Sequence, residues 1–126
     1  MIITWNLWGV EMKTIEKPWG KEEILFVGDK YVVKRLCMNP GKRCSKQYHK
    51  HKTETIYVLS GVLLIYFDHE ILTLTKGDHI TILPGVNHRM KGGLTFSFPD
   101  HPAVYLECST TELDDVVRLE DDYGRE

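Results

Sequence analysis

Between residues 22 and 109 the apolar positions fall in short runs, such as Tyr31-Val32-Val33-Lys34-Arg35-Leu36-Cys37-Met38 and Ile56-Tyr57-Val58-Leu59, and none sustains a helical repeat for three turns. Runs of this length, rich in β-branched and aromatic residues, predict strands. The pattern places them at 22–27, 31–38, 45–49, 54–59, 62–67, 71–75, 79–83, 88–91, 94–98 and 104–109. Between them stand Gly28-Asp29, Asn39-Pro40-Gly41, Ser60-Gly61, Asp68-His69, Lys76-Gly77-Asp78, Pro84-Gly85 and Gly92-Gly93. These residues accept positive φ or fix φ, and so make turns; Ser60-Gly61 is expected to close a β-hairpin. Short strands punctuated at this spacing predict an all-β sandwich or, more specifically, a closed antiparallel barrel.

The two ends read differently. Residues 1–16 contain Ile2, Ile3, Trp5, Leu7 and Trp8 but no basic leader, long apolar run or small-residue cleavage site, so neither a signal peptide nor a membrane span is expected. An aromatic arm or edge strand is expected there, suited to pairing two copies as a homodimer, with residues 17–126 as a single domain. At the other end, the acidic stretch of Glu112, Asp114, Asp115, Glu120, Asp121 and Asp122 is interrupted by Val116, Val117 and Leu119. That interruption predicts a segment that returns to pack on the barrel, with its last few residues frayed.

Composition narrows the partners. A chain of 126 residues suits one domain. Sixteen basic against eighteen acidic side chains, a net charge of -2, give no electrostatic basis for nucleic-acid binding. Cys37, Cys44 and Cys108 are an odd number without a C-x-x-C pair, which argues for packing residues in a reducing, cytoplasmic compartment, with Cys44 near the site.

The chemistry concentrates in Gln47-Tyr48-His49-Lys50-His51-Lys52-Thr53-Glu54 and Pro84-Gly85-Val86-Asn87-His88. On a strand, alternate side chains share a face, so Gln47, His49 and His51 are expected to point inward together. Imidazole nitrogens with an amide or carboxylate oxygen suit a divalent transition ion, zinc first, with manganese, cobalt, nickel or iron as alternatives. His49, His51 and His88 are the expected ligands. Gln47 and Glu54 compete for the next position, the first by alternation and the second by charge. A Glu54 that does not bind metal becomes the candidate base or a partner orienting a histidine. Lys52 and Arg35, then Arg118 and Arg89, are the cations available to a phosphate. Trp19, Tyr57 and Tyr66 are expected to pack, and His69, His79 and His101 to lie outside the site.

Residues 41–61 and 77–88 resemble the two barrel motifs of the cupin superfamily, which implies a double-stranded β-helix, a jelly-roll barrel with a metal at its centre. Lys17-Pro18-Trp19-Gly20, Val33-Lys34-Arg35 and the closing Asp114-Asp115-Val116-Val117-Arg118-Leu119-Glu120-Asp121-Asp122-Tyr123-Gly124-Arg125 are similar to the C-terminal domain of type II mannose-6-phosphate isomerases. That domain is often fused to a mannose-1-phosphate guanylyltransferase, for which a chain of this length has no room. The resemblance implies interconversion of mannose 6-phosphate and fructose 6-phosphate, with a hexose phosphate as substrate. It also implies a catalytic role at position 52, here Lys52, beside the candidate base Glu54. Lys50 stands where the family has the middle of three histidines, Lys52 where it has an arginine, and Thr55-Ile56 where it has His-Trp. A lysine at 52 keeps the charge but loses the planar fork that grips phosphate at two points. A metal-binding cupin that recognises a sugar phosphate or nucleotide sugar without turnover is the second expectation. An iron dioxygenase is the third.

Overall fold

The computed structural model describes residues 13–94 and 101–126. Eleven strands run through them: Lys13–Lys17 (β1), Gly20–Val27 (β2), Val32–Met38 (β3), Lys46–Tyr48 (β4), Glu54–Ser60 (β5), Leu63–Phe67 (β6), Ile71–Leu74 (β7), His79–Ile82 (β8), His88–Gly92 (β9), Ala103–Ser109 (β10) and Val117–Glu120 (β11). One sheet has the order β1-β2-β3-β10-β5-β8 and the other β11-β4-β9-β6-β7, with every paired strand antiparallel. Among the described residues no helix is long and apolar enough to cross a membrane.

Most expected strands form within a residue or two of the expected bounds. Leu94 lies outside any strand, and the rest of the strand expected at 94–98 falls outside the described residues, as does most of the N-terminal arm. Ser60-Gly61 does not close a hairpin. β5 pairs with β10 and β8, whereas β6 pairs with β9 and β7, so this turn carries the chain from one sheet to the other. Gly61 is required there twice over: its φ is +75°, and a Cβ would lie 2.2 Å from the Pro102 carbonyl oxygen.

Pleating divides the interior into two ends. Leu36 and Met38 of β3, Ala103 and Tyr105 of β10, Ile56 and Val58 of β5, and Leu63 and Ile65 of β6 are buried together in the apolar end. Each Leu, Ile, Val or Met side chain among them contributes about 1.5–3 kcal/mol by leaving water. The same inward faces continue as Lys34, Glu107, Ser109 and Glu54, all buried. The register joins them: Glu107 lies across from Lys34 and Ile56, and Ser109 across from Glu54. One barrel thus holds a greasy plug and a charged cup.

Tyr57, expected in the core, is exposed and stacks on the exposed His79 with ring centroids 6.3 Å apart. Its neighbours Ile56 and Val58 take the inward face, so strand alternation turns Tyr57 out. Trp19 is buried, and Tyr66 is half-buried. The C-terminal segment returns as expected, with β11 pairing to β4. Its end is fastened rather than frayed: the Tyr123 hydroxyl donates to the Arg43 carbonyl at 3.1 Å, and Arg125 Nε and Nη2 donate to the two oxygens of Asp121.

Cys44 is buried, donates to the Ser45 carbonyl and accepts the Met90 amide; burial pushes its thiol up to about 11. Burial also raises the half-buried Cys37, whereas Cys108 is exposed. Iodoacetamide at pH 8 will therefore label Cys108 first and leave Cys44 unmodified until the protein is denatured, as mass spectrometry of the peptides will show. Early labelling of Cys44 would contradict the packing described.

Candidate metal centre

Strand β4 ends at Tyr48, and residues 49–53 form a loop whose shape is imposed from the far end of the chain. The Asp115 carboxylate accepts three backbone amides, from Lys50 at 3.0 Å, His51 at 2.7 Å and Lys52 at 2.9 Å. These bonds, that from Lys50 foremost, hold the Asp115 carboxyl down at about 2. The Gly85 amide, in a turn with φ +82°, donates to the His49 carbonyl at 2.7 Å and ties the loop before β9 to the same place. Held in this way, the loop directs His49, Lys52 and Glu54 into the barrel and leaves His51 in solvent.

His49, Glu54 and His88 converge, each no more than 1% exposed, with their candidate ligand atoms within 4.8 Å of one another. His49 Nε2 is 3.3 Å and His88 Nε2 is 3.1 Å from Glu54 Oε1, yet neither nitrogen nor either carboxylate oxygen has a hydrogen-bond partner. Donors bound at zinc's usual 2.0–2.1 Å in tetrahedral array lie roughly 3.3 Å apart, close to the two imidazole–carboxylate separations. The far side of each ring is fixed by a carbonyl: His49 Nδ1 donates to Asp115 O at 2.5 Å and His88 Nδ1 to Val86 O at 2.9 Å. With the protons on Nδ1, both Nε2 lone pairs are free to coordinate. Two imidazoles and a carboxylate, orphaned and aimed at one point, fit a divalent transition ion.

Around this group lies a network of charge. Lys52 Nζ is 3.6 Å from Glu54 Oε2 and 3.9 Å from Glu107 Oε2, and Lys34 Nζ is 3.9 Å from Glu107 Oε2 and 2.6 Å from Glu22 Oε1. Burial raises Glu107, aided by the negative charge of Glu54, to about 8. Burial also works to raise Glu54, and the charge of Lys52 at 3.6 Å works against it, favouring the ionised form. The adjoining cavity, about 130 Å³, is lined by His49, Gln47, Lys52, Glu107, Lys34 and Arg118 among others. An outer groove of about 570 Å³ shares Lys17, Glu22, Lys34 and Arg118 with it.

The structure brings together His49, Glu54 and His88, with Lys52 beside them and Gln47 on the cavity wall. Gln47 lies directly across from His88 in the strand register, and its side-chain oxygen accepts the Ser45 hydroxyl at 2.7 Å. His51 is not brought in, because strand alternation stops at Tyr48. Arg35 faces away from the cavity on β3 and grips Glu23 with two hydrogen bonds, at 3.1 and 2.8 Å; its neighbour Lys34 takes the inward place. Arg89 faces the C-terminal segment, where it donates to the carbonyls of Cys44 and Glu120. Sequence reasoning missed Glu107, Lys34, Lys17 and Asp115. The only signal of the first two was parity, since Ala103, Tyr105, Glu107 and Ser109 share one face of β10 as Val32, Lys34, Leu36 and Met38 share one face of β3.

The two-sheet antiparallel barrel, with side chains that could hold a metal ion at its charged end, has the architecture of a cupin. Its likeness of fold extends to an uncharacterised conserved protein with a double-stranded β-helix domain from Klebsiella pneumoniae, with a TM-score of 0.66 at 19% identity over 86% of each chain. Within that class, the chain belongs to the mannose-6-phosphate isomerase C-terminal family, whose model matches residues 9–121. Xanthan biosynthesis protein XanB of Xanthomonas campestris is 33% identical over 116 residues, 90% of this chain and 24% of that protein. A mannose-1-phosphate guanylyltransferase of Escherichia coli is 34% identical over 113 residues, 90% of this chain and 23% of that protein. The chain thus spans about a quarter of the length of these curated relatives.

Proposed function

We propose that this domain is a metal-dependent aldose–ketose isomerase that interconverts mannose 6-phosphate and fructose 6-phosphate, with zinc as the ion. The observation that carries the reading is the convergence of His49, Glu54 and His88 next to a cavity containing a further buried carboxyl, Glu107. His49, Glu54 and His88 would hold a divalent ion, which would supply a Lewis acid for the sugar's carbonyl oxygen. The chain's own groups handle the proton. With Glu54 occupied as a ligand, Glu107 in its ionised form is the cavity carboxyl that would take the proton from C2 of the aldose and return it at C1, while the O2 hydroxyl proton passes to O1. Lys52, between Glu54 and Glu107, sets positive charge beside the oxygen on which negative charge develops. Membership of the family supports the substrate pair.

A coupled assay for fructose 6-phosphate tests this. Chelated protein reloaded with zinc, cobalt or manganese is expected to convert mannose 6-phosphate, and His88→Ala and Glu107→Gln each to lose at least about 100-fold in kcat. Folded, metal-loaded protein without turnover would overturn the isomerase. Saturable sugar-phosphate binding in that case would support the second reading, a non-catalytic binder. The observation favouring that reading is that Lys52, in the place of the family's arginine, is already engaged by two carboxylates.

A further inference from the structure

We propose that Arg118, together with Lys17 and Lys34, forms an anion subsite at the mouth of the cavity that takes the phosphate group of a sugar monophosphate. The sugar part rests on the isomerase reading; the anion part rests on the residues themselves.

Arg118 is the unusual group. Its Nε is buried without a hydrogen-bond partner, although the other arginines with buried or half-buried side chains are engaged: Arg35 by Glu23, Arg43 by Asp122, Arg89 by two carbonyls and Arg125 by Asp121. An unsatisfied guanidinium donor beside a cavity is a place for a ligand oxygen, because leaving it unmade costs free energy that a bound anion recovers. Arg118 lines both the inner cavity and the outer groove, and Lys17 and Lys34 line both with it. Glu22 is the carboxylate shared by the two spaces, 2.6 Å from Lys34 and 3.6 Å from Lys17. Among the residues shared by the two spaces, three cations face one carboxylate, with Asp114 in the outer groove and Glu107 in the inner cavity beyond them.

Register fixes how far this mouth lies from the metal ligands. Arg118 pairs across from Gln47, and Gln47 pairs across from His88, so the three form one row across β11, β4 and β9. Two strand spacings put the backbone of Arg118 about 9–10 Å from that of His88. A six-carbon chain with C1 and C2 at the metal and its phosphate on C6 has the reach for that row; a phosphate on C1 would have to sit among the ligands instead. The inner cavity alone is smaller than a typical ligand pocket, so the phosphate end would extend to the shared mouth.

The test is calorimetric titration of the metal-loaded protein with inorganic phosphate and with mannose 6-phosphate, alongside steady-state kinetics. Arg118→Ala and Lys17→Ala are expected to weaken both ligands by roughly 10- to 100-fold and to raise KM with little change in kcat. Lys76→Ala, which removes an exposed charge from the turn before β8, is expected to change neither. Lys17 lies on an edge strand, so its variant remains informative if Arg118→Ala fails to fold. Unchanged affinity for both ligands in both variants overturns the subsite, even with wild-type turnover intact. Loss of phosphate binding in the variants of a protein that shows no isomerase activity upholds the subsite and removes the isomerase.

Discussion

Chelated protein will melt roughly 10 °C below the same protein with zinc at a hundredfold excess over its dissociation constant. Binding to the folded state alone at that ratio contributes about 2.7 kcal/mol, and for a domain of this size each kcal/mol moves the midpoint by several degrees. The physical reason is that His49 Nε2, His88 Nε2 and both Glu54 oxygens are buried without hydrogen-bond partners, a cost that coordination removes. His88→Ala will abolish the zinc-dependent shift. Scanning calorimetry with metal analysis measures both, and equal midpoints with no bound ion would show that the group is not a metal centre.

Asp115→Ala will lower zinc affinity by roughly 10- to 100-fold without removing any ligand. The residue works through the loop: three amides lose their acceptor, and the carbonyl that orients His49 is no longer held opposite its ring. General loss of fold, the competing cause, is separated by hydrogen exchange. The amides of residues 50–52 will exchange faster in the variant, while those of β3 and β10 will keep their protection. Unchanged zinc affinity would show that the loop keeps its shape without Asp115.

The range of the forces involved decides how much of the molecule is legible in its sequence. Strands and turns depend on local alternation and on glycine and proline, and most of them can be placed from the chain alone. Three features of the site cannot. His51 has the right spacing, but β4 runs for only three residues, and a carboxylate 64 positions away shapes the loop beyond its end. On β3, Val33-Lys34-Arg35-Leu36 puts a cation on each face, so polarity cannot say which one enters the barrel; packing of Val32, Leu36 and Met38 decides for Lys34. Arg118 is one of the cations the sequence offers to a phosphate, yet its distinction from Arg35 and Arg89 depends on partners supplied by other strands.

The bonds from Asp115 to residues 49–52 span 63 to 66 positions of chain. Chains emerge from the ribosome N-terminus first. The histidines and Glu54 are therefore synthesised well before the residue that sets their loop, and β10, which joins β3 to β5, precedes that residue by only a few positions. A nascent chain that stops short of Asp115 carries His49, Glu54 and His88 and lacks the fastening that presents them.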